Sequence, residues 1–446
     1  MRGDRTPDLD RIPGPPPQDG AEAVAAAGGL HNYQLKLHAE HGPVVRFALP
    51  GADPAVSVAD PLLLEAVAGI DKRPEALFAF LAPLQEAGNL QTLPAAEHTL
   101  WRRVLLSVLA GRPSHEAHFG RLAELTVQLA DRWARQGEVE LQKDLSELSL
   151  RMISAYALGG GLSPERSGRV VAAFEDVLTE YLARLYQVEG GPGARAASSL
   201  AYLRRTVDDV LAAHRVTPGR SDLVSALARA DIPPARIRDT VLMTMLAAHH
   251  TTGVAISWTL YLLSRHPDAA TRAAAEVDAV LGGRSVPEYA DLRRMTYLDR
   301  ALKEAMRLFP PGPYGAREAT EDVALGEYTV PAGTTIFLPI WAVHKNPRYW
   351  PDPERFDPDR FTPEASAGRP RLAHIPFGLG PRSCEGAALA MVEAQLVLAV
   401  LLKRFRFRLT PGRSITPIER FVLWAEGDIR MDLTPRAGVT SPRAGA

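Results

Sequence analysis

The only cysteine in 446 residues, Cys384, lies in the segment His374 to Gly386 (HIPFGLGPRSCEG), a glycine-punctuated loop that opens onto a long apolar stretch. An isolated cysteine is in most settings a small buried hydrophobe. Here the surroundings argue for chemistry. Gly378, Gly380 and Gly386 let the backbone turn sharply and approach a flat partner, and Leu389, Val392, Leu396 and Val400 recur at helical spacing across Ala387 to Phe405. The thiol thus precedes a helix N-terminus, where unpaired N–H groups and the positive end of the dipole stabilise a thiolate. Such a group can attack a substrate or bind a soft metal. With no second cysteine, zinc and iron–sulfur sites lack ligands, so a single-thiolate metal site points first to haem.

Three further constellations carry polar groups at suggestive spacing. A helical stretch from Ile232 to Arg265 is interrupted at its centre by Ala247-Ala248-His249-His250-Thr251-Thr252, where two histidines and two threonines inside an apolar run need partners or a purpose. Core histidines capping polar groups are the plain alternative to a catalytic pair. Glu304 and Arg307 stand at i and i+3 in a helix that ends at Pro310 and Pro311, a weak signal alone because surface pairs of this kind are common. His98 and Arg102 share another helical face at i and i+4. His115 and His118 lack the spacing of a zinc protease and read as ordinary surface polarity.

Phe377, Gly380, Arg382, Cys384 and Gly386 fill every fixed position of F-x-x-G-x-R-x-C-x-G, and on this motif the chain resembles the cytochrome P450 superfamily, in particular its soluble bacterial members. The resemblance runs from about Pro15 to Asp432 and implies a mainly α fold with a small β region, haem b lying between a long distal helix and a proximal cysteine loop. It implies that Cys384 is the axial iron ligand, with Phe377 packed near the sulfur and loop amides bonded to it. His98, Arg102, Arg317 and Arg382 match positions that hold the haem propionates. Glu304, Arg307 and Arg360, the last in the meander segment Trp350 to Phe361, match a structural network behind the haem.

The distal helix departs from the family pattern twice. Ala248 replaces the usual glycine, and His250 stands where a carboxylate normally neighbours the catalytic threonine, here Thr251. Histidine titrates near neutrality and shuttles protons, so His250 with Thr251 is expected to deliver them. A His-Thr pair here resembles the sterol 14-demethylase branch, a likeness not extended to substrate, since Phe78 to Pro94 lacks that branch's aromatic pattern.

Composition sets the boundaries. With 51 basic and 52 acidic side chains the net charge is close to zero, which gives no reason to expect a nucleic-acid partner. The charged, proline-rich N-terminus lacks a signal-peptide core or a membrane span, so a cytoplasmic monomer is expected. Residues 1–20 read as an extended or disordered lead, 21–434 as one domain and 435–446 as a disordered tail. Short strands are predicted at Val44 to Phe47, Ala55 to Val58 and within Val323 to Ile336. Helices are predicted over His118 to Gln136, Lys143 to Leu158, Pro164 to Tyr186 and Ala196 to His214, with loops at Gly159 to Gly161 and Gly190 to Gly193.

The reaction implied by the resemblance is insertion of one oxygen atom from O2 into a hydrophobic small molecule, by hydroxylation or epoxidation. Electrons would come from a ferredoxin or flavodoxin with its reductase, docking on a basic patch of Arg102, Arg103, Arg112, Arg371 and Lys403. A peroxide-using or non-oxidative haem-thiolate enzyme is one alternative, and a non-catalytic haem sensor or binding protein, closed by His249 or His250, is another. Pocket-facing stretches are expected at Phe78 to Leu90, Leu182 to Gln187, Leu246 and Ala247, Gly312 to Tyr314, and Phe421 and Val422, all apolar and none selective for one substrate.

Overall fold

An apolar helix of 32 residues, Pro234–Arg265, is buried along most of its length and is the element around which the others assemble. It starts with proline in its first turn, where the missing N–H has no intrahelical partner to lose. The computed structural model describes residues 9–16, 20–49, 52–159, 163–185, 193–213, 222–230, 232–412, 414–420 and 422–436. Against the long helix pack Leu141–Leu158, Thr296–Leu308 and Ala387–Arg404, each with an apolar face turned inward. The approach of Leu141–Leu158 is closest at Gly253, where an added Cβ would stand 2.7 Å from the backbone of Leu145 and Ser146.

A four-stranded sheet forms beside this helical body. Val44–Phe47 pairs antiparallel with Ala55–Val58, which runs parallel to Thr335–Leu338, itself antiparallel to Gly315–Glu318. Both central strands are shielded on both faces or nearly so, which suits their β-branched and aromatic residues. Register sets Arg317 opposite Ile336, and its side chain is buried.

Several sequence-based bounds are revised. The helix expected from His118 begins at Arg112, with Pro113 in its first turn, and the one expected from Lys143 begins at Leu141. The single β region of Val323 to Ile336 divides into a hairpin, Val323–Leu325 with Tyr328–Val330, and the separate strand Thr335–Leu338. Two sheets were not anticipated. Phe405–Leu409, Arg430–Pro435 and Glu138–Glu140 form one, and Pro417–Arg420 with Val422–Ala425 the other. Their strands are short, and all but Val422–Ala425 are partly exposed, so their pattern is too brief to stand out locally.

The ends are tied down further than composition implies. Ile12 is 1% exposed and the Arg46 amide donates to the Pro13 carbonyl. Arg436 donates to the Leu402 carbonyl and pairs with Asp278. Residues 1–8 and 437–446, the glycine loops at 160–161 and 190–192, Tyr186 and His214 lie outside the described residues. Among the described residues no helix is long and apolar enough to cross a membrane.

One ion pair has no contact with water. Glu304 and Arg307 are both 0% exposed and share two bonds, Nε to Oε2 at 2.7 Å and Nη2 to Oε1 at 2.8 Å. Arg307 also donates to the carbonyls of His344, Pro353 and Arg355, and Glu304 accepts from the Asp357 amide. Arg360 approaches Glu304 at 3.4 Å and donates to the Asp352 carbonyl. Helix Thr296–Leu308 is thereby bound to the meander Trp350 to Phe361, and Trp350 in turn donates to Ala373 just ahead of the cysteine loop.

Two stability outcomes follow from these contacts. Arg307→Leu leaves the buried Glu304 carboxylate with only Arg360 at 3.4 Å to balance it, and urea denaturation of the purified variant should show a loss of about 3–5 kcal/mol. Gly253→Ala forces the long helix away from Leu145 and Ser146, with a loss of about 1–3 kcal/mol or more by the same measurement. A wild-type midpoint for Gly253→Ala would show that the two helices can separate freely.

Candidate functional site

The cysteine loop is shaped by backbone that only glycine accepts. Gly378 and Gly380 have φ of 72° and 66°, and a Cβ at position 380 would overlap the Ala68 carbonyl oxygen at 1.8 Å. The Cys384 amide donates to the Phe377 carbonyl at 2.9 Å, closing the turn, and the Gly386 N–H bonds the sulfur. Phe377 is half-buried against the main core. The helix Ala387–Arg404 begins three residues after Cys384.

The sulfur lies deep in the fold, yet the residue has an open face. Burial, then the carboxylate of Glu385, pushes its thiol up to about 11. The thiolate that the sequence suggests is not favoured by these surroundings alone, because burial and Glu385 outweigh the Gly386 N–H and the charges of Arg102 and Arg73. A sulfur held this way is a poor free nucleophile, and a metal cation at its open face is what would displace the proton.

Around the loop gather more cations than the sequence motif contains. Arg102 donates to the Ser383 carbonyl and hydroxyl and to Glu385, while buried His98 faces both Asp71 at 3.6 Å and Glu385 at 3.7 Å. Arg382 bonds Asp71 and the Leu93 carbonyl, and Arg73 donates to the Arg382 carbonyl at 3.0 Å. Arg317 reaches the Ala316 and Leu379 carbonyls, both at 2.8 Å, but its Nε is buried without a partner. Burial, then the neighbouring Arg73 and Arg382, drives the Arg317 guanidinium down to about 9, and burial brings Arg73 to about 10.

Four guanidinium groups thus face two carboxylates, Asp71 and Glu385, leaving two positive charges in a desolvated setting. Haem carries two propionates. That surplus, the orphaned Arg317 Nε and the open face of Cys384 together fit such a group. Arg73, Asp71 and Glu385 escaped the sequence reading. Glu385 stands at a free position of the motif, and nothing local marks Asp71 or Arg73.

On the long helix, Ala247 is exposed and Ala248 and Thr251 are half-exposed, in contrast to the buried residues around them. These three mark an open strip along one face. The Thr251 hydroxyl donates to the Ala247 carbonyl at 2.8 Å, so its lone pairs remain available on that strip. Thr252 points elsewhere, to Glu393, whose carboxyl burial pushes up to about 8.

Consecutive helical residues point about 100° apart, and His250 indeed turns away from Thr251's strip. Its Nδ1 lies 3.2 Å from Ser146 Oγ, its Nε2 lies 3.5 Å from Glu175, and its ring meets the Trp424 face edge-on. Burial pulls its pKa down to about 4 and holds the ring neutral at ordinary pH. His250 and Thr251, expected from the sequence to deliver protons together, thus face different sides of the helix and bond different partners. His249, 0% exposed and 6.1 Å from the Phe174 ring, also avoids the open strip, so neither histidine is directed to close it.

Other expectations are revised. Of the residues expected to form a basic patch, Arg102 pairs with Glu385, Arg112 with Glu116, Arg371 with Glu65 and Lys403 with Asp278. Acidic neighbours, one of them a single helical turn away, neutralise them. Leu246 is fully buried rather than pocket-facing, and Tyr314 packs on Phe337 of the sheet. His115 is buried and is not surface: its Nε2–H donates to the Leu109 carbonyl at 2.8 Å and its Nδ1 lies 3.4 Å from the Tyr289 hydroxyl. The side chains of 182–187 and Phe421 lie outside the described residues.

A family model described as Cytochrome P450 matches residues 21–432. The chain is 31% identical over 374 residues to cyclooctatin synthase of Streptomyces melanosporofaciens, covering 78% of this chain and 79% of the relative. It is 30% identical over 364 residues to pentalenene oxygenase of Streptomyces avermitilis, covering 78% and 81%. Among solved structures, the cytochrome P450DA heme domain superposes with a TM-score of 0.87 at 25% identity, covering 96% of this chain and 98% of that one. The chain belongs to the cytochrome P450 family, and it is a haem-dependent oxidoreductase that incorporates oxygen.

Proposed function

We propose that this protein is a monooxygenase that inserts one atom of O2 into a hydrophobic small molecule, by hydroxylation or epoxidation. Electrons are supplied by a separate ferredoxin or flavodoxin with its reductase, and the setting is a cytoplasmic monomer of one domain. A terpene hydrocarbon is the favoured substrate class, on the similarity to the two Streptomyces enzymes. The observation that carries the reading is the pairing of an open Cys384 face with the open Ala247–Thr251 strip on an otherwise buried helix.

In this reading Cys384 would bind the haem iron through its sulfur, and His98, Arg102, Arg317 and Arg382, joined by Arg73, would hold the propionates. Bound there, haem supplies reductive activation of O2, which the thiolate ligand favours. Thr251 presents its hydroxyl oxygen to the open strip and takes up a proton to pass on. His250 acts farther out: the neutral imidazole accepts a proton at the nitrogen facing Glu175 and releases one from the nitrogen facing Ser146. Glu175, about half exposed, connects this pair to solvent. Because His250 and Thr251 point apart, transfer between them runs through water.

Carbon monoxide binding to reduced protein tests the ligand. Wild type should show the red-shifted Soret band diagnostic of thiolate ligation, and Cys384→Ala or Cys384→His should lose it. A variant that kept the band would remove Cys384 from the site.

Product formed per electron consumed tests the relay. Thr251→Ala should bind substrate nearly as wild type, read as a Soret shift on titration, while electrons drain into hydrogen peroxide. His250→Ala should slow turnover by about 10²-fold, and His250→Asp should recover part of it. With a folded pKa near 4, His250 stays neutral from pH 6 to 8, so its contribution is flat across that window and falls away only as pH drops toward 4. Unchanged coupling in both alanine variants would leave His250 as a core histidine.

A further inference from the structure

His249 is an anomaly that oxygen chemistry does not use. It is fully buried, and neither Nδ1 nor Nε2 has a hydrogen-bond partner, although buried imidazoles ordinarily satisfy at least one. Its ring stacks on that of His250, centroids 3.8 Å apart and planes 27° from parallel. One nitrogen from each ring and a carboxylate oxygen of Glu175 all lie within 4.8 Å of one another. Glu175 comes from helix Pro164–Leu185 and both histidines from the long helix, so packing of the two helices creates the cluster.

The chemistry of the three groups is complementary to a cation. If Ser146 accepts from His250 Nδ1–H, the Nε2 lone pair and the Glu175 carboxylate face each other at 3.5 Å as two acceptors. Burial keeps both imidazoles neutral, the state that binds metals. Ser146, as outer partner, would fix the tautomer of His250. Two imidazoles and one carboxylate suit a zinc-like divalent ion with water in the fourth position. The half-exposed side chain of Glu175 leaves a path from solvent.

We propose that Glu175, His249 and His250 form a binding site for a divalent transition-metal cation such as zinc, at the outer end of the proton route to Thr251. Bound metal would occupy the nitrogen that the relay uses and suppress coupling, a consequence that rests on the relay described above.

Chelator-treated, haem-loaded full-length protein is titrated with zinc sulfate by calorimetry, and the zinc-loaded form is measured by X-ray absorption at the zinc edge, where haem iron does not interfere. One equivalent should bind, with imidazole scattering from two histidines. Glu175→Gln and His249→Leu should each weaken binding about tenfold or more, their carbon monoxide spectra verifying intact haem sites. Because Glu175 is half-exposed, its variant is expected to fold normally. Equal affinity in wild type and both variants would mean an adventitious surface ion only, and no binding at millimolar zinc would equally overturn the site. Zinc should lower product per electron in wild type and not in His249→Leu, a position the relay does not use. Binding that is lost in the variants while coupling ignores zinc would keep the metal site and refute the relay.

Discussion

Glu304 and Arg307 are held away from water, and neither tolerates that position without the other. Their mutual bonds use part of each group's capacity. The rest goes to the carbonyl of His344 and to backbone of the meander, so one helix, the meander and the segment leading to Cys384 are bound into one unit. A loop that turns through two left-handed glycines has little intrinsic preference for one shape. What gives the cysteine loop its shape is the rigid surface behind it, and that surface is organised by the buried pair.

The second organising force is unbalanced charge. Four arginines near the loop are opposed by two carboxylates, and the cost of collecting them away from solvent shows in the lowered affinity of Arg317 and Arg73 for their protons. Such a site is built for an anionic partner. Glu385 gives it an additional feature: standing next to Cys384, it draws Arg102 and His98 toward the loop and raises the proton affinity of the sulfur. Arg102, paired with Glu385, offsets that negative charge beside the sulfur.

On the distal helix, adjacent residues serve opposite sides. Thr251 faces the open strip, Thr252 the buried Glu393, and His249 and His250 the helices Leu141–Leu158 and Pro164–Leu185. Close approach at Gly253 brings Ser146 within reach of His250, so a steric property of one glycine sets the geometry of an imidazole three residues away. A histidine in the place of an acid thus exchanges a charged side chain for a neutral one that needs Glu175 as its link to water.

The sequence by itself determined the features whose causes are local. Glycine spacing, the apolar period after Ala387 and the motif around Cys384 specify a turn, a helix and a thiol between them, because backbone sterics and helical periodicity act over a few residues. The pairing of Glu304 with Arg307 is legible for the same reason, being one helical turn apart. The tertiary structure alone decided which distant groups meet. Arg73 and Asp71 at the cysteine loop, Glu175 at His250, and the acids that neutralise Arg102, Arg371 and Lys403 come from other segments, and no local pattern anticipates them. It also decided the sign of the Cys384 shift, because desolvation depends on how much protein surrounds a group, which is a property of packing and not of neighbours in the chain.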